Sequence, residues 1–421
     1  MSDGGAISAG GVGAGGGPGG VATQVPPAGE ACMSCGLQVC GNALTSCDQN
    51  PECAPWLGCI RSCDSQACTS ACDASFADVA RVYYGIYSCL CGACQASCDV
   101  AQSCQKKCLD DGLLPASDVE PATLAETGLY ASTDSTDQVA PYVHLYETKY
   151  PLWADGAGKE RYIFIPRCST IDTNDMDHWE FPVGTRLWKH FSVDGQRVET
   201  RMLHRYGSGN DDWLYATYGW DAQKPDDPRA AVAVLHGSPN ANATLHDIPD
   251  PSACPSCHGK LPEKPLGFSA FQLSHLGAGL NMQRLSDWGW LSLPARQGFA
   301  VPGTPVQQAA LGYLHGNCGG CHNRDSAIPR ENPMRLRLLV SQTEYAATDS
   351  VLTTIGVPTI NAYPELHGKP RIDPQAPSNS AIYLRMSDRN KFPMPPLATK
   401  FPDTDGGVAN VTGWINSLAK P

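Results

Sequence analysis

The sequence predicts a multidomain fold: a disulfide-rich α-helical module, then a β-rich domain, then a mainly α-helical domain. Three observations carry this. Fifteen of the 20 cysteines fall between Cys32 and Cys108. Four segments rich in aromatic and β-branched residues, several alternating at period two, follow between residues 160 and 220. Beyond residue 250 the apolar spacing becomes helical.

Residues 1–30 are Gly, Ala, Ser and Pro with almost no large apolar side chain, so they read as a flexible leader. In residues 31–110, cysteines recur at i, i+4: Cys59/Cys63, Cys68/Cys72, Cys94/Cys98 and Cys104/Cys108. That interval puts both sulfurs on one helix face, where a pair can bond to a neighbouring helix and stand in for a missing apolar core. The stretch Asp73–Cys89 has helical periodicity, with Phe76, Val79, Val82, Tyr83 and Ile86 on one side. A metal–thiolate cluster is the alternative, but Trp56, Leu57, Ile60, Tyr83 and Tyr84 argue for packed helices. The odd count leaves one cysteine over; pairing it with Cys168 would make eight bridges and fasten the module to the next domain, and one free thiol in each place is the other reading.

Residues 118–250 form the β-rich domain. Its strands are expected in Glu160–Pro166, Thr185–Val193, Arg197–Tyr206 and Asp212–Trp220, antiparallel, with a turn at Val193–Gln196. Residues 304–421 are expected to open with a helix over Pro305–Asn317, Thr304 as N-cap and Pro305 at the first helical position. They close with a helix presenting Val408, Val411, Trp414, Ile415 and Leu418 on one face.

The net charge of −12, with dispersed Lys and Arg and no basic run interleaved with aromatics, excludes nucleic acid and favours basic protein partners. No apolar window reaches the length of a membrane span, and the N-terminus lacks the basic flank and apolar stretch of a signal peptide. Cysteine usage calls for export, so the expectation is a chain whose signal has been removed, bound for the periplasm, the outer-membrane surface or the medium. In the native precursor a lipid-bearing cysteine could precede Ser2, making the glycine stretch a tether.

Residues 251–303 contain ACPSCHGKL, and sixty-four residues after Cys254 the chain repeats the pattern as NCGGCHNRD. Four of the five cysteines beyond Cys108 are in these two CxxCH motifs. In c-type haem attachment two cysteines add to the haem vinyl groups and the adjacent histidine ligates the iron, which explains every fixed letter. Cys254 and Cys257 with His258, and Cys318 and Cys321 with His322, thus predict two covalently attached haem c groups. A four-thiolate zinc site would leave both histidines unexplained, and a redox dithiol would need a strand before the motif that HDIPDPSACPSCH lacks. Met394, in a proline-stiffened loop just before the last helix, is the candidate sixth ligand of the second haem; Met386, in a helix-like stretch, reads as packing.

From Pro305 to Pro421, YLHGNCGGCHN, SAIYLRMSDRNKFPMPPLA and VTGWINSL resemble a class I cytochrome c domain. The wider stretch from about residue 150, with YPLWADGAGKERYIFIP, WEFPVGTRLWKHF and VETRMLHRY, is similar to bacterial exported di-haem c-type cytochromes with a β-domain before the haem region. That resemblance implies fold and cofactor more than reaction.

For the first haem the distal candidates are Met282, His275, Met202 and His204, and an open sixth position is the further option. If both irons are six-coordinate the protein carries electrons between redox proteins; an open iron beside an acid or base would suit a di-haem peroxidase or oxidase. His246 with Asp247, or the stretch Asp172–Glu180, could supply that group, though both read as solvated loops. A third reading makes the cysteine-rich and β-rich parts a surface-attachment or assembly unit with haem cargo. Trp288, Trp290 and Tyr313 are expected to wall the haem crevices. No catalytic residue follows from the sequence, and one-electron transfer in the cell envelope or outside the cell is the expected function.

Overall fold

The computed structural model describes residues 30–39, 41, 50–63, 66–76, 79, 94, 117–140, 142–166, 169–326, 333–360, 363–396 and 399–420. Cys168 and most of the stretch Asp73–Cys89 lie outside them, as do Cys98, Cys104 and Cys108.

The cysteine-rich segment contributes helices α1 (Glu30–Val39), α2 (Cys53–Arg61) and α3 (Gln66–Ser75). The i, i+4 spacing works as expected: Cys59 of α2 bonds Cys72 of α3, and Cys63 bonds Cys68. Two adjacent bridges therefore clamp a helical hairpin, with Trp56 buried beneath them and its indole N–H donating to Asp73 at 3.0 Å. A third bridge joins Cys35 to Cys94. The sulfurs of Cys63, Cys68 and Cys72 lie within 4.8 Å of one another, the spacing of a metal site, because the two bridges are neighbours.

Six strands form one antiparallel meander in chain order. They are β1 (His144–Leu145), β2 (Gly158–Phe164), β3 (Arg186–Val193), β4 (Gln196–Arg205), β5 (Trp213–Gly219) and β6 (Val232–Ala233). The four expected strands are the central ones, and the two-residue edge strands are too short to show a period. The turn between β3 and β4 has Asp194 at φ 50° and Gly195 at φ 79°, the positive pair that a tight hairpin requires.

Both faces of the sheet are buried. One carries Phe164, Trp188, Met202, Ala216 and Tyr218 against Leu124, Leu129, Tyr130 and Val143 from the preceding segment. The other carries Ile163, Leu187 and Trp213, covered by Phe268, Leu273, Met282, Leu285, Trp290 and Leu291. The first-motif segment is thus a second layer on the sheet. Each fully buried Ile or Phe in these layers contributes roughly 1.5–3 kcal/mol.

The remaining helices are α4 (Pro255–His258), α5 (Met282–Asp287), α6 (Pro305–Asn317), α7 (Asp349–Leu352), α8 (Ala381–Ser387) and α9 (Ala409–Ser417). Thr304 and Gln307 form a capping box at the start of α6, with Pro305 in its first turn. Helix α9 buries Val411, Trp414 and Ile415 against Ala310, Leu311 and Leu314 of α6. Gly312 lets α6 approach the rest of the molecule: a Cβ there would lie 2.0 Å from the Tyr150 ring. Among the described residues no helix is long and apolar enough to cross a membrane.

Candidate functional site

The two CxxCH motifs, far apart in sequence, meet. They flank a cavity of about 1000 Å³ whose wall includes Cys257 from the first motif and Cys318, Cys321 and His322 from the second. Helix α6 delivers the second motif: Cys318 closes its last turn, donating its N–H to the Leu314 carbonyl at 2.9 Å. A Cβ at Gly320 would lie 3.1 Å from Leu266, so the small residues inside the second motif let the segment after the first pack against it.

All four motif cysteines are unbonded, in contrast to the bridged ones of the helical hairpin. The Cys257 and Cys321 thiols stand side by side, and the Cys321 thiol points to the Ser256 carbonyl at 3.9 Å. The contact between the two thiols, helped by Arg201 and Lys189, pulls Cys257 down to about 7 and pushes Cys321 up. Burial raises the Cys318 thiol to about 12, and it also raises Cys254 despite nearby Arg201. Among the described residues these four sulfurs do not gather into a set of three within 4.8 Å, so a four-thiolate zinc site is not assembled.

The two histidines are held differently. His258 Nδ1 lies 2.8 Å from the Lys264 carbonyl, an arrangement in which Nδ1–H donates and Nε2 is left as the basic nitrogen. Its ring is 5.5 Å from that of Tyr215 on β5. His322 is 91% buried, and among the described residues its Nδ1 has no hydrogen-bond partner. Burial, then neighbouring cations, holds both rings down to about 4: Lys189 acts on His258, and Arg385 and Arg371 on His322. Both are neutral near pH 7, the form a metal requires.

Met394 lies on the cavity wall, with its backbone N–H donating to the Arg385 carbonyl of α8 at 3.2 Å. Met386 lies on the same wall while also packing in the helical core, so its side chain has both environments.

None of the four distal candidates for the first motif is on this wall. Met202 is packed on the opposite face of the sheet. His204 shares that face, where burial, with Arg186 adding to it, lowers it to about 4. Met282 is in the core between sheet and covering layer, and His275 is tied to the Glu147 carbonyl at 3.0 Å. The histidines that do line the cavity besides His322 are His236, which is exposed, and His246. His246 is not solvated: it is buried, 2.7 Å from the Glu199 carboxylate.

The stretch Asp172–Glu180 is also more engaged than a solvated loop. His178 Nδ1 is 3.0 Å from Glu263 and its Nε2 3.4 Å from Asp325, so one ring bridges the segments that follow the two motifs. Arg337 completes the latch at 2.6 Å from Glu263. Trp288 packs tilted and Trp290 edge to face against His144, and neither is on the cavity wall.

The sheet supplies the cavity's charged side. Lys159, Lys189, Phe191 and Arg201 line it, and Glu199 pairs with Arg201 at 2.5 Å. Burial, reinforced by neighbouring cations, lowers Lys159 to about 6 and Lys189 to about 7. The sequence reading missed this because each cation stands alone between apolar residues; only strand register brings them side by side.

No protein-family model, curated protein or solved structure matches the chain.

Proposed function

We propose that this chain is an exported di-haem c-type cytochrome whose work is one-electron transfer between protein partners. The observation that carries the reading is the convergence of Cys257 from the first motif with Cys318, Cys321 and His322 from the second, their sulfurs unbonded, on one large cavity that also presents Met394, with Cys254 and His258 set back from its wall. Cys254 and Cys257 would anchor one haem and Cys318 and Cys321 the other, with His258 and His322 as proximal ligands and Met394 as sixth ligand of the second. The Lys264 carbonyl would orient His258 and keep its Nε2 basic. Bound haem supplies a one-electron couple; the chain's own part is to hold neutral imidazoles and to shield the cavity behind the α6 and α9 core and the sheet. The helical segment from α6 to α9 would be the class I cytochrome c-like unit. The bridges among the described residues fit an oxidising compartment, and the acidic chain suits basic redox partners.

A second reading has its own support. With all four distal candidates off the cavity wall, a first iron with an open sixth position would suit a peroxidase or oxidase. The test for both is protein matured in a host with cytochrome c maturation, measured by pyridine haemochrome and by oxidised and reduced spectra. Two covalent haems, both low-spin with a sulfur-to-iron band, support the carrier. Two haems with a high-spin component and peroxide turnover favour the enzyme, and no covalent haem with four titratable thiols refutes both.

A further inference from the structure

Like charges directly opposite each other on adjacent strands destabilise a sheet. This sheet nevertheless sets Arg161 of β2 opposite Lys189 of β3, and Lys189 opposite Arg201 of β4. The three form one continuous row on the face that also carries Ile163, Leu187 and Leu203, and Lys159 stands in the next row on that face, opposite Phe191. The charges are not dispersed into solvent, because Lys159, Lys189 and Arg201 line the cavity and Arg161 is buried behind them.

The protein's own anions do not balance the row. Glu199 serves Arg201 and is shared with His246. Among the described residues no carboxylate lies within ion-pair distance of Lys159, Arg161 or Lys189, and Lys159 donates only to the Leu152 carbonyl. Phe191, with Arg201 4.5 Å and Lys159 5.6 Å from its ring centroid, gives the cations a π face and no countercharge. Half-buried basic groups converging on a cavity, two of them lysines whose protonation burial disfavours, fit an occupant that brings a negative charge with it.

We propose that Lys159, Lys189 and Arg201 form a carboxylate-binding wall, and that its occupant is the propionate edge of a haem held in the cavity. The inference rests on the di-haem reading for the identity of the occupant. The cation row itself stands without it, since a free oxyanion would satisfy the same charges.

The test uses the full-length matured protein and the variants Lys159→Met and Lys189→Met, which keep length and apolar stem while removing charge. Covalent haem is counted by pyridine haemochrome and each haem's potential by spectroelectrochemical titration. The expected result is two haems per chain in every variant, with one of the two reduction waves moved to lower potential. Uncovering a propionate charge should favour the oxidised form about tenfold, a shift of about 59 mV for a one-electron couple. Two haems with both waves unmoved in both variants overturns the proposal. If the wild-type chain carries no covalent haem, the di-haem reading fails separately, and calorimetric titration of that chain with succinate and with inorganic phosphate decides the wall: binding lost in Lys189→Met keeps it as a site for a free oxyanion, and no binding overturns it.

Discussion

Replacing Glu263 by Gln should loosen the junction between the two motifs. The Glu263 side chain is 2% exposed and holds two partners at once, Arg337 at 2.6 Å and His178 at 3.0 Å. Arg337, itself 9% exposed, also donates to the Asp177 carbonyl, which cannot neutralise it. A glutamine keeps the shape and some hydrogen bonding but leaves a buried guanidinium without its counter-ion. Removing one partner of a buried pair costs about 3–5 kcal/mol. Taking the lower value, because amide hydrogen bonds remain, and about 2–4 °C per kcal/mol for a unit of this size, the melting temperature should fall by about 6–12 °C. The pH dependence gives a second signature. The hydrogen bond that His178 donates to Glu263 raises His178 above its ordinary 6.5, so this contribution is complete below pH 6.5 and is lost as pH rises through the raised value. Burial alone would raise Glu263, but Arg337, the His178 bond and a backbone amide together hold it below 4.5, so its contribution is present above pH 4.5 and is lost as pH falls through the lowered value. The difference in melting temperature between wild type and Glu263→Gln, followed by near-ultraviolet circular dichroism, should therefore be largest between pH 4.5 and 6.5. A variant that melts within 2 °C of wild type across that range, with the same pH slope, would refute the latch.

Met394→Ala should abolish the sulfur-to-iron band and lower the potential of one haem while leaving the covalent haem count at two, since Met ligation raises the potential; an unchanged spectrum would remove Met394 as a ligand. The double substitution Cys59→Ser and Cys72→Ser opens a bridge of sequence separation 13 and should destabilise the helical hairpin by about 3 kcal/mol. Limited proteolysis should then cut near α2 and α3 while the sheet's circular dichroism is unchanged. Gly312→Ala drives a Cβ to 2.0 Å from the Tyr150 ring, and overpacking of this kind costs about 1–3 kcal/mol, read as a lower midpoint in urea.

Local patterns were legible where they repeat within a few residues. The four central strands followed from period-two alternation, the β3–β4 turn from Asp194–Gly195, the start of α6 from Thr304 and Pro305, and the α2–α3 clamp from cysteines at i, i+4. Features that depend on distant residues were not. Nothing near Cys257 indicates that Cys321 will stand beside it, and nothing near Asp177 or His178 points to Glu263 and Asp325. The two-residue strands β1 and β6 carry no period at all, and His246 looked solvated because its partner Glu199 is 47 residues away.

The distal candidates for the first motif show how one strand can mislead. Along β4 the residues Glu199, Arg201 and Leu203 point to one face and Thr200, Met202 and His204 to the other, because side chains alternate at period two. In an ordinary two-layer protein the polar members would mark the solvent face. Here both faces are buried, so Met202 and Arg201 are equally plausible neighbours of a cofactor from sequence alone. What separates them is what covers each face: residues 124–143 on the Met202 side, the first-motif segment on the Arg201 side. A one-residue shift in the register of β4 would have brought Met202 and His204 to the cavity face and sent Arg201 away from it. The register observed does the reverse, which is why this face of the sheet brings positive charge to the cavity wall.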